Sequence, residues 1–422
     1  METRETIEKI EAREILGGSG HPAVEVKLTT SRGIEVRASA PSGTSKGEHE
    51  AFELLDGEKR YEGKGVRRAV ENVRKIIAPA LRGMDVSRQG EIDEALIRLD
   101  GTPDKSRLGG NAILPVSMAC AKAAARSCGL PLFRYLGGLS ATHLPAPIAT
   151  VIAGGAHSPS DLEFEDYLLI LSNFNSFAEA LEALVKARSV LQEIVIRRFG
   201  SVPEVGGALA PPIQDSAQAF ELMRKAAEGI RGGEKITLGI DAAASELYSP
   251  EEDSYQVAGR KMKAPELMEY YLHLARTYPL TYIEDPFHED DYFHFAALTA
   301  ALPDCRIVGD DLFASHPRRI ALGIQQKAGN TLLLKINQIG TVGEALAAAS
   351  MASRNHFQVN VSLRSNETND SFIADLAVAV CARQIKLGSP VRGERNAKYN
   401  RLLEIEEDWG LGDGSGQFCQ KP

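Results

Sequence analysis

The chain has 422 residues, enough for an α/β barrel of about 250 residues and a second domain. Its 43% hydrophobic and 25% charged content is that of an ordinary globular protein, and a formal net charge of −9 argues against a nucleic-acid partner. The apolar stretches are too short to span a membrane, and the charged N-terminus lacks a signal-peptide core. Five scattered cysteines without CxxC spacing predict reduced thiols in a cytoplasmic protein.

The first third of the chain has the pattern of strands followed by helices. Residues 6–40 alternate in the manner of antiparallel strands, with turn-forming residues between the runs. Apolar residues at helical spacing then predict helices within 65–81, 90–99 and 111–129. This order predicts an N-terminal α+β domain over residues 1–140 and a second domain over residues 141–422.

Five short apolar runs between residues 236 and 365 each carry a charged or polar residue at or near the end. They are rich in Ile, Val, Leu and Thr, as buried parallel strands are, and helical patterns separate them. The marked residues are Asp241, Glu284, Asp310, Lys335 and Arg364 with its neighbour Ser365. A run of strand–helix units of this kind predicts a β/α barrel, whose chemistry lies at the carboxyl ends of the strands.

Three of the marked residues are carboxylates on three successive strands. At one end of a barrel Asp241, Glu284 and Asp310 converge on one point, where they repel one another unless a cation lies between them. The sequence therefore predicts a site for a hard divalent cation, with Lys335 beside it on the next strand.

Three loops complete the set of candidate segments. Residues 41–51 are small, polar and glycine-containing, which is typical of a mobile loop. Residues 154–171 place His157 in a loop and Glu165 and Asp166 near a strand. In the Gly/Pro loop 200–212, the adjacent glycines Gly206 and Gly207 permit another group to approach the backbone closely.

Motifs along nearly the whole chain resemble the enolase (phosphopyruvate hydratase) family. They include PSGTSKGEHEA from residue 41, VIAGGAH from 151, LGIDAAASELY from 238, YIEDPFHEDDY from 282 and LLKINQIGT from 333. The resemblance implies a modified TIM-type (β/α)8 barrel with an N-terminal α+β capping domain. It also implies two Mg²⁺ ions, assembly as a homodimer or a ring of dimers, and a small phosphorylated or phosphonylated carboxylic acid as substrate.

The resemblance assigns roles to individual residues. Asp241, Glu284 and Asp310 match the ligands of the first magnesium, Ser45 matches a ligand of the second, and Lys335 matches the general base. The residues implied to contact the substrate's carboxylate or phosphate, or to close over it, are His157, Arg364, Ser365 and Lys386.

The sequence departs from the family pattern on the side that expels hydroxide. Val205 stands where the family has the glutamate that protonates the leaving group, and Leu363 stands where it has a histidine. Glu165 and Asp166 replace a Gln-Glu pair. Because hydroxide leaves poorly without a proton donor, we expect enolisation to persist while conversion of 2-phosphoglycerate to phosphoenolpyruvate is weak or altered.

Two alternatives remain open from the sequence. One is a true enolase whose acid is Glu204, Glu165 or Asp166. The other is a non-catalytic scaffold on an enolase frame, against which the retention of Lys335 and the three carboxylates argues.

Overall fold

The N-terminal part of the chain is an antiparallel sheet covered by helices. The computed structural model describes residues 4–43 and 47–409. Its first strands, paired antiparallel in sequence order, are β1 (Ile7–Leu16), β2 (Pro22–Thr30) and β3 (Glu35–Ala40). Its helices are α1 (Arg67–Asn72), α2 (Ala78–Leu81), α3 (Gln89–Asp100), α4 (Gly110–Ser127) and α5 (Leu132–Gly137). A π-helical turn joins α1 to α2, and α4 packs on β2 and β3.

The rest of the described chain alternates strands and helices. The strands are β4 (Ala146–Ala153), β5 (Asp166–Ile170), β6 (Glu204–Val205), β7 (Ala208–Leu209), β8 (Thr237–Asp241), β9 (Tyr248–Ser249), β10 (Ser254–Val257), β11 (Arg260–Met262), β12 (Leu280–Glu284), β13 (Arg306–Gly309), β14 (Thr331–Leu334), β15 (Gln358–Ser362) and β16 (Gln384–Lys386). The helices are α6 (Phe177–Phe199), α7 (Ser216–Glu228), α8 (Ala264–Thr277), α9 (Tyr292–Ala301), α10 (Pro317–Gln326), α11 (Ile336–Ile339), α12 (Val342–Arg354), α13 (Phe372–Ala379) and α14 (Gly393–Asp408). Along the described residues, no helix combines the length and the apolar character needed to cross a bilayer.

Eight of these strands close into a barrel. Their order is β4-β5-β8-β12-β13-β14-β15-β16, and β16 pairs with β4 to complete the circle. The predicted fold class, a (β/α)8-type barrel behind an N-terminal α+β region, is confirmed. One feature was not predicted: β5 runs antiparallel to both β4 and β8. The first residue of β5, Asp166, therefore lies at the end of the barrel where the parallel strands finish.

The barrel interior is filled by side chains directly below that end. Ile148, Leu168, Ile170, Tyr282, Val308 and Leu333 form a separate buried cluster inside the ring of strands. The strands read as continuous apolar runs because both of their faces are buried, one in this cluster and the other under the helices. The Tyr282 hydroxyl donates to Glu284 Oε2 at 2.7 Å, which links the packed interior to the first charged residue above it.

The predicted Gly/Pro loop contains a short β-hairpin. β6 and β7 pair antiparallel, with Gly206 and Gly207 between them at φ values of 56° and 87°. Both glycines occupy the left-handed region, which side chains other than glycine adopt at a cost. Ile152 of β4 pairs with Leu209 of β7, so the hairpin extends the barrel wall at its rim.

Helix α5 packs closely against helix α13 of the barrel. A Cβ atom on Gly137, the last residue of α5, would lie 2.4 Å from the carbonyl oxygen of Ala379 and 2.7 Å from its Cα. Both of these Ala379 atoms belong to the backbone, so the clash with an added Cβ could not be relieved by rotating a side chain. The glycine is therefore required by packing, because its φ of −102° is open to any residue.

We predict that Gly137→Ala lowers the midpoint of thermal unfolding by an amount corresponding to roughly 1–3 kcal/mol, the usual cost of overpacking. Gly90→Ala is the matched control, because its Cβ would meet nothing within 4 Å on the exposed face of α3. There the substitution should stabilise by about 0.5–1 kcal/mol through helix propensity. Equal midpoints for the two variants would contradict the packing argument.

Candidate active site at the barrel mouth

The three predicted cation ligands lie together at the carboxyl end of the barrel. Asp241 ends β8, Glu284 ends β12, and Asp310 follows β13 directly. Strand register sets Glu284 beside Asp241, and all three side chains are buried. The strands that form the barrel wall are buried on both faces, and their ends hold these three negative charges at one end of the barrel.

Lys386 lies among these carboxylates. It ends β16, and its Nζ donates to Asp241 Oδ2 at 2.6 Å and to both Glu284 oxygens at 2.9 Å. Asp166 Oδ2 is 3.5 Å from the same nitrogen. The structure therefore pairs the residue that was predicted to contact substrate with two of the predicted metal ligands.

The pKa values of these groups follow from burial and proximity. Burial, together with the charge of Asp241, raises the pKa of Glu284 well above its usual value. Burial acts in the same direction on Asp241, but the Lys386 ammonium outweighs it and lowers the pKa of that carboxyl. The pKa of Lys386 is raised, because its carboxylate neighbours outweigh the effect of burial.

These residues suit a magnesium ion. Mg²⁺ prefers oxygen ligands, and Asp241, Glu284 and Asp310 offer carboxylate oxygens from three adjacent strands. The mutual repulsion that raises the pKa of Glu284 is the interaction that a divalent cation would relieve. The donor set and its charge therefore fit the ion that the family resemblance implies.

Lys335 lies on the next strand end, where it was predicted. It directly follows β14, and its ammonium forms an ion pair with Asp310 Oδ2. Burial disfavours its charge, but the Asp310 carboxylate outweighs that effect and raises the pKa of Lys335. Gln338 holds the other oxygen of Asp310 at 2.7 Å.

Further acidic residues that were not singled out from the sequence lie beside this site. Ligand atoms of Asp285, Asp310 and Asp311 all lie within 4.8 Å of one another. The backbone N–H groups of Asp310 and Asp311 donate to the Asp285 carboxylate at 3.0 and 2.8 Å. Burial, reinforced by Asp310, raises the pKa of Asp311 to about 8. The sequence feature that could have identified Asp285 and Asp311 is that each directly follows another acidic residue, in EDP and GDD.

The predicted phosphate-binding residues line the same cavity as Asp241 and Lys335. Arg364 is buried, and its Nη1 donates to Glu50 at 2.7 Å. Ser365 and His157 also line the cavity, with His157 Nε2 3.4 Å from Glu246. Glu50, within the loop predicted over 41–51, was not singled out. Ser45, the predicted ligand of a second magnesium, lies outside the described residues.

Val205 and Leu363 line the cavity, which has a volume of about 190 Å³. Glu204, the residue before Val205, turns away from it and pairs with Arg188 at 3.0 Å. This alternation along β6 is that of an extended strand, and it removes Glu204 as the acid of the first alternative. An apolar surface therefore lies where the family resemblance implies a proton donor.

Glu165 and Asp166 reach the cavity between these two sides. Both line it, and Asp166 Oδ2 accepts a hydrogen bond from Thr150 at 3.1 Å. Burial, with the charge of Asp241 next in importance, raises the pKa of Glu165 well above its usual value. Burial likewise raises the pKa of Asp166. Both residues remain candidates for proton transfer.

Comparison with known families and proteins places the whole chain in one group. The family profile for the enolase N-terminal domain matches residues 7–136, and that for the enolase C-terminal TIM barrel domain matches residues 141–417. The enolase of Pyrococcus furiosus is 50% identical over 414 residues, covering 97% of this chain and 96% of its own length. The enolase of Methanopyrus kandleri is 48% identical (95% and 96% covered), and that of Methanocaldococcus jannaschii is 46% identical over the full length of both chains.

We predict that Lys386→Met lowers the unfolding midpoint of the metal-free protein strongly, because it leaves Asp241 and Glu284 buried without their cation. Breaking a buried pair in this way costs about 3–5 kcal/mol. Added Mg²⁺ should recover most of the loss, since it replaces the missing positive charge.

Lys398→Met is the matched control. Lys398 is also fully buried, but its partners are Glu367 and the carbonyl oxygens of Thr368 and Glu394, away from the cavity. Its variant should lose stability, and Mg²⁺ should raise its midpoint only as far as it raises that of the wild-type protein, so the deficit relative to wild type persists. An Mg²⁺-induced rise of the midpoint that is equal in Lys386→Met and Lys398→Met would show that the ion does not replace the charge of Lys386.

Proposed function

The chain belongs to the enolase family and is an enzyme of the enolase type, a carbon–oxygen lyase, and from this premise we propose how its site works. The proposed substrate is a small carboxylic acid that carries a phosphate or phosphonate group. The reference reaction is the loss of water from 2-phosphoglycerate to give phosphoenolpyruvate. The observation that supports this most directly is the grouping of Lys335 with Asp241, Glu284 and Asp310 at the barrel mouth.

In the proposed mechanism, Lys335 removes the proton next to the substrate's carboxylate. Its amine is held charged by Asp310 in the absence of other cations. Magnesium, when held by Asp241, Glu284 and Asp310, supplies the positive charge beside which an enediolate can form. With Asp310 holding a magnesium ion, its charge would no longer keep the proton on Lys335, and the amine would be available as a base.

Arg364 and Ser365 are proposed to hold the phosphate, and His157 to close over the substrate. Arg364 is suited to this role because a guanidinium presents donors that match phosphate oxygens. Ser45 is proposed to hold a second magnesium. The cytoplasmic location, the homodimer or ring of dimers, and the division into domains at residue 140 remain predictions from the sequence.

The leaving-group side limits the reaction on 2-phosphoglycerate. Val205 and Leu363 carry no proton to donate, and hydroxide requires one to depart at neutral pH. We therefore propose that α-proton removal is efficient while water loss is slow. The loss of a general acid is worth about 10²–10⁴ in rate.

A second candidate function is a full-speed enolase whose acid is Glu165. The observation in its favour is that Glu165 lines the cavity and that burial, with the charge of Asp241, raises the pKa of its carboxyl, which is the direction a proton donor requires. Glu165→Gln separates the two candidates, because it restores the amide found in the family. It should abolish water loss if Glu165 is the acid and change it little if it is not.

We predict that Lys335→Gln lowers exchange of the substrate α-proton by about 10²–10⁴, the usual contribution of a general base. The measurement is deuterium uptake by 2-phosphoglycerate in heavy water with Mg²⁺, followed by NMR. Lys261→Gln, an exposed lysine on β11 with 64% of its side chain accessible, is the control and should exchange at the wild-type rate. Undiminished exchange in Lys335→Gln would assign the base to another residue.

We also predict that Val205→Glu raises phosphoenolpyruvate formation from 2-phosphoglycerate by at least about tenfold, since it returns a proton donor to the cavity wall. Val205→Gln has a similar size and no acidic proton, so it should give no gain. The assay is the steady-state rate of product formation at saturating Mg²⁺. A wild-type rate that neither substitution improves would favour Glu165 as an acid already in place.

A further inference from the structure

Arg395, in the first turn of α14, is a buried arginine whose guanidinium has no hydrogen-bond partner among the described residues. Its side chain is 8% exposed, and its Nε has no hydrogen-bond partner within residues 4–43 and 47–409. Nor does any oxygen in that part of the chain accept a hydrogen bond from its other guanidinium nitrogens. Folded proteins rarely bury a charge without pairing it, because the desolvation is not repaid.

The chain nevertheless builds a close-fitting space for this guanidinium. A Cβ on Gly206 would lie 2.5 Å from Nη2, and one on Gly388 would lie 1.6 Å from Nη1. Both glycines have left-handed φ values, 56° and 65°. Gly206 is one of the two glycines that the sequence marked for close approach, and Arg395 is the group that approaches it.

A second buried arginine beside the same hairpin has a structural role and serves as a comparison for Arg395. Arg188 is 7% exposed and is fully engaged. It donates to the carbonyl oxygen of Gly207 at 3.0 Å, to Ser389 Oγ at 2.8 Å and to Glu204 at 3.0 Å. Arg395 has no comparable set of acceptors, so its placement is not explained by holding the hairpin together.

Arg395 lines the cavity on its leaving-group side, together with Val205 and Leu363. The carboxylate whose charge acts most strongly on it is Asp166, which already accepts a hydrogen bond from Thr150 and lies 3.5 Å from Lys386. That side of the cavity therefore presents a guanidinium with free donors where the family presents a proton donor.

We propose that Arg395 binds an anionic leaving group on the carbon β to the substrate's carboxylate, so that the enzyme eliminates phosphate rather than hydroxide. This inference rests on the proposed function, because it uses the same α-proton removal by Lys335. Its substrate class is a 2-phosphorylated three-carbon acid with a phosphate ester in place of the 3-hydroxyl. A guanidinium matches the oxygens of such a group in pairs.

The chemistry requires no acid on the cavity wall. Lys335 takes the α-proton, the electron pair of that C–H bond becomes the second bond between the α- and β-carbons, and the bond from the β-carbon to the ester oxygen breaks. Its electron pair leaves with the phosphate. The ester reacts in its singly protonated form and departs as HPO4²⁻, so the proton that the leaving group needs is one it already carries. With 2,3-bisphosphoglycerate the products are phosphoenolpyruvate and inorganic phosphate, and the α-proton passes from Lys335 to solvent.

The test compares 2,3-bisphosphoglycerate with 2-phosphoglycerate on the Mg²⁺-loaded protein. We expect the bisphosphate to release inorganic phosphate and phosphoenolpyruvate in equal amounts, with a kcat/KM at least about tenfold higher than that for water loss from 2-phosphoglycerate. Arg395→Gln should lower the bisphosphate kcat/KM by about 10²–10³, as loss of a charged donor at a developing anion does. Deuterium exchange into 2-phosphoglycerate should fall by a much smaller factor in this variant, and Arg395→Lys should retain part of the bisphosphate rate.

Unfolding midpoints separate binding from a structural role. Arg188→Gln should lower the midpoint, whereas Arg395→Gln, which removes an unpaired buried charge, should not. The inference is overturned if the bisphosphate yields no more phosphoenolpyruvate than 2-phosphoglycerate does, or if Arg395→Gln lowers the rates on both substrates equally. Deuterium exchange without phosphate release would overturn this inference alone. Absence of exchange in the wild-type protein would overturn the proposed function as well.

Discussion

Repulsion among buried carboxylates at the barrel mouth is the constraint on which the rest of the site depends. Strand register sets Asp166, Asp241 and Glu284 side by side. The packed barrel interior below them holds the strands in place, so the three carboxylates cannot move apart. Positive charge between them is therefore a condition of stability, and in this structure Lys386 provides it. A site of this kind is prepared for a divalent cation, because the negative charge is already held in position when the ion arrives.

The same arrangement explains why the cavity has two chemically different sides. On one side, the charged residues at the strand ends are paired with one another. Substituting any one of them would leave its partner as a buried charge without a counter-charge. On the other side, Val205 and Leu363 lie on the hairpin and on the segment after β15, and both line the cavity with uncharged apolar side chains. Substitutions on this side carry no electrostatic cost, which is why the proposed function keeps proton removal and changes only the means of expelling hydroxide.

Much of this was predictable from the sequence, for physical reasons. Buried parallel strands produce unmistakable apolar runs, and a charged residue at the end of each run has few places to lie except the barrel mouth, which located Asp241, Glu284, Asp310 and Lys335. The antiparallel direction of β5 was not predictable, since strand direction leaves no mark on a short apolar run. Nor was the environment of Arg395, which depends on contacts with Gly206 and Gly388 from other segments of the chain.

The central claim is that this protein removes the α-proton readily and expels hydroxide poorly. The most direct test is a single reaction of 2-phosphoglycerate with the wild-type protein and Mg²⁺ in heavy water, in which deuterium in the remaining substrate and phosphoenolpyruvate are measured together. The account predicts that deuterium enters the recovered substrate at least about ten times faster than phosphoenolpyruvate forms. Phosphoenolpyruvate forming as fast as the α-proton is removed, with recovered substrate free of deuterium, would contradict it.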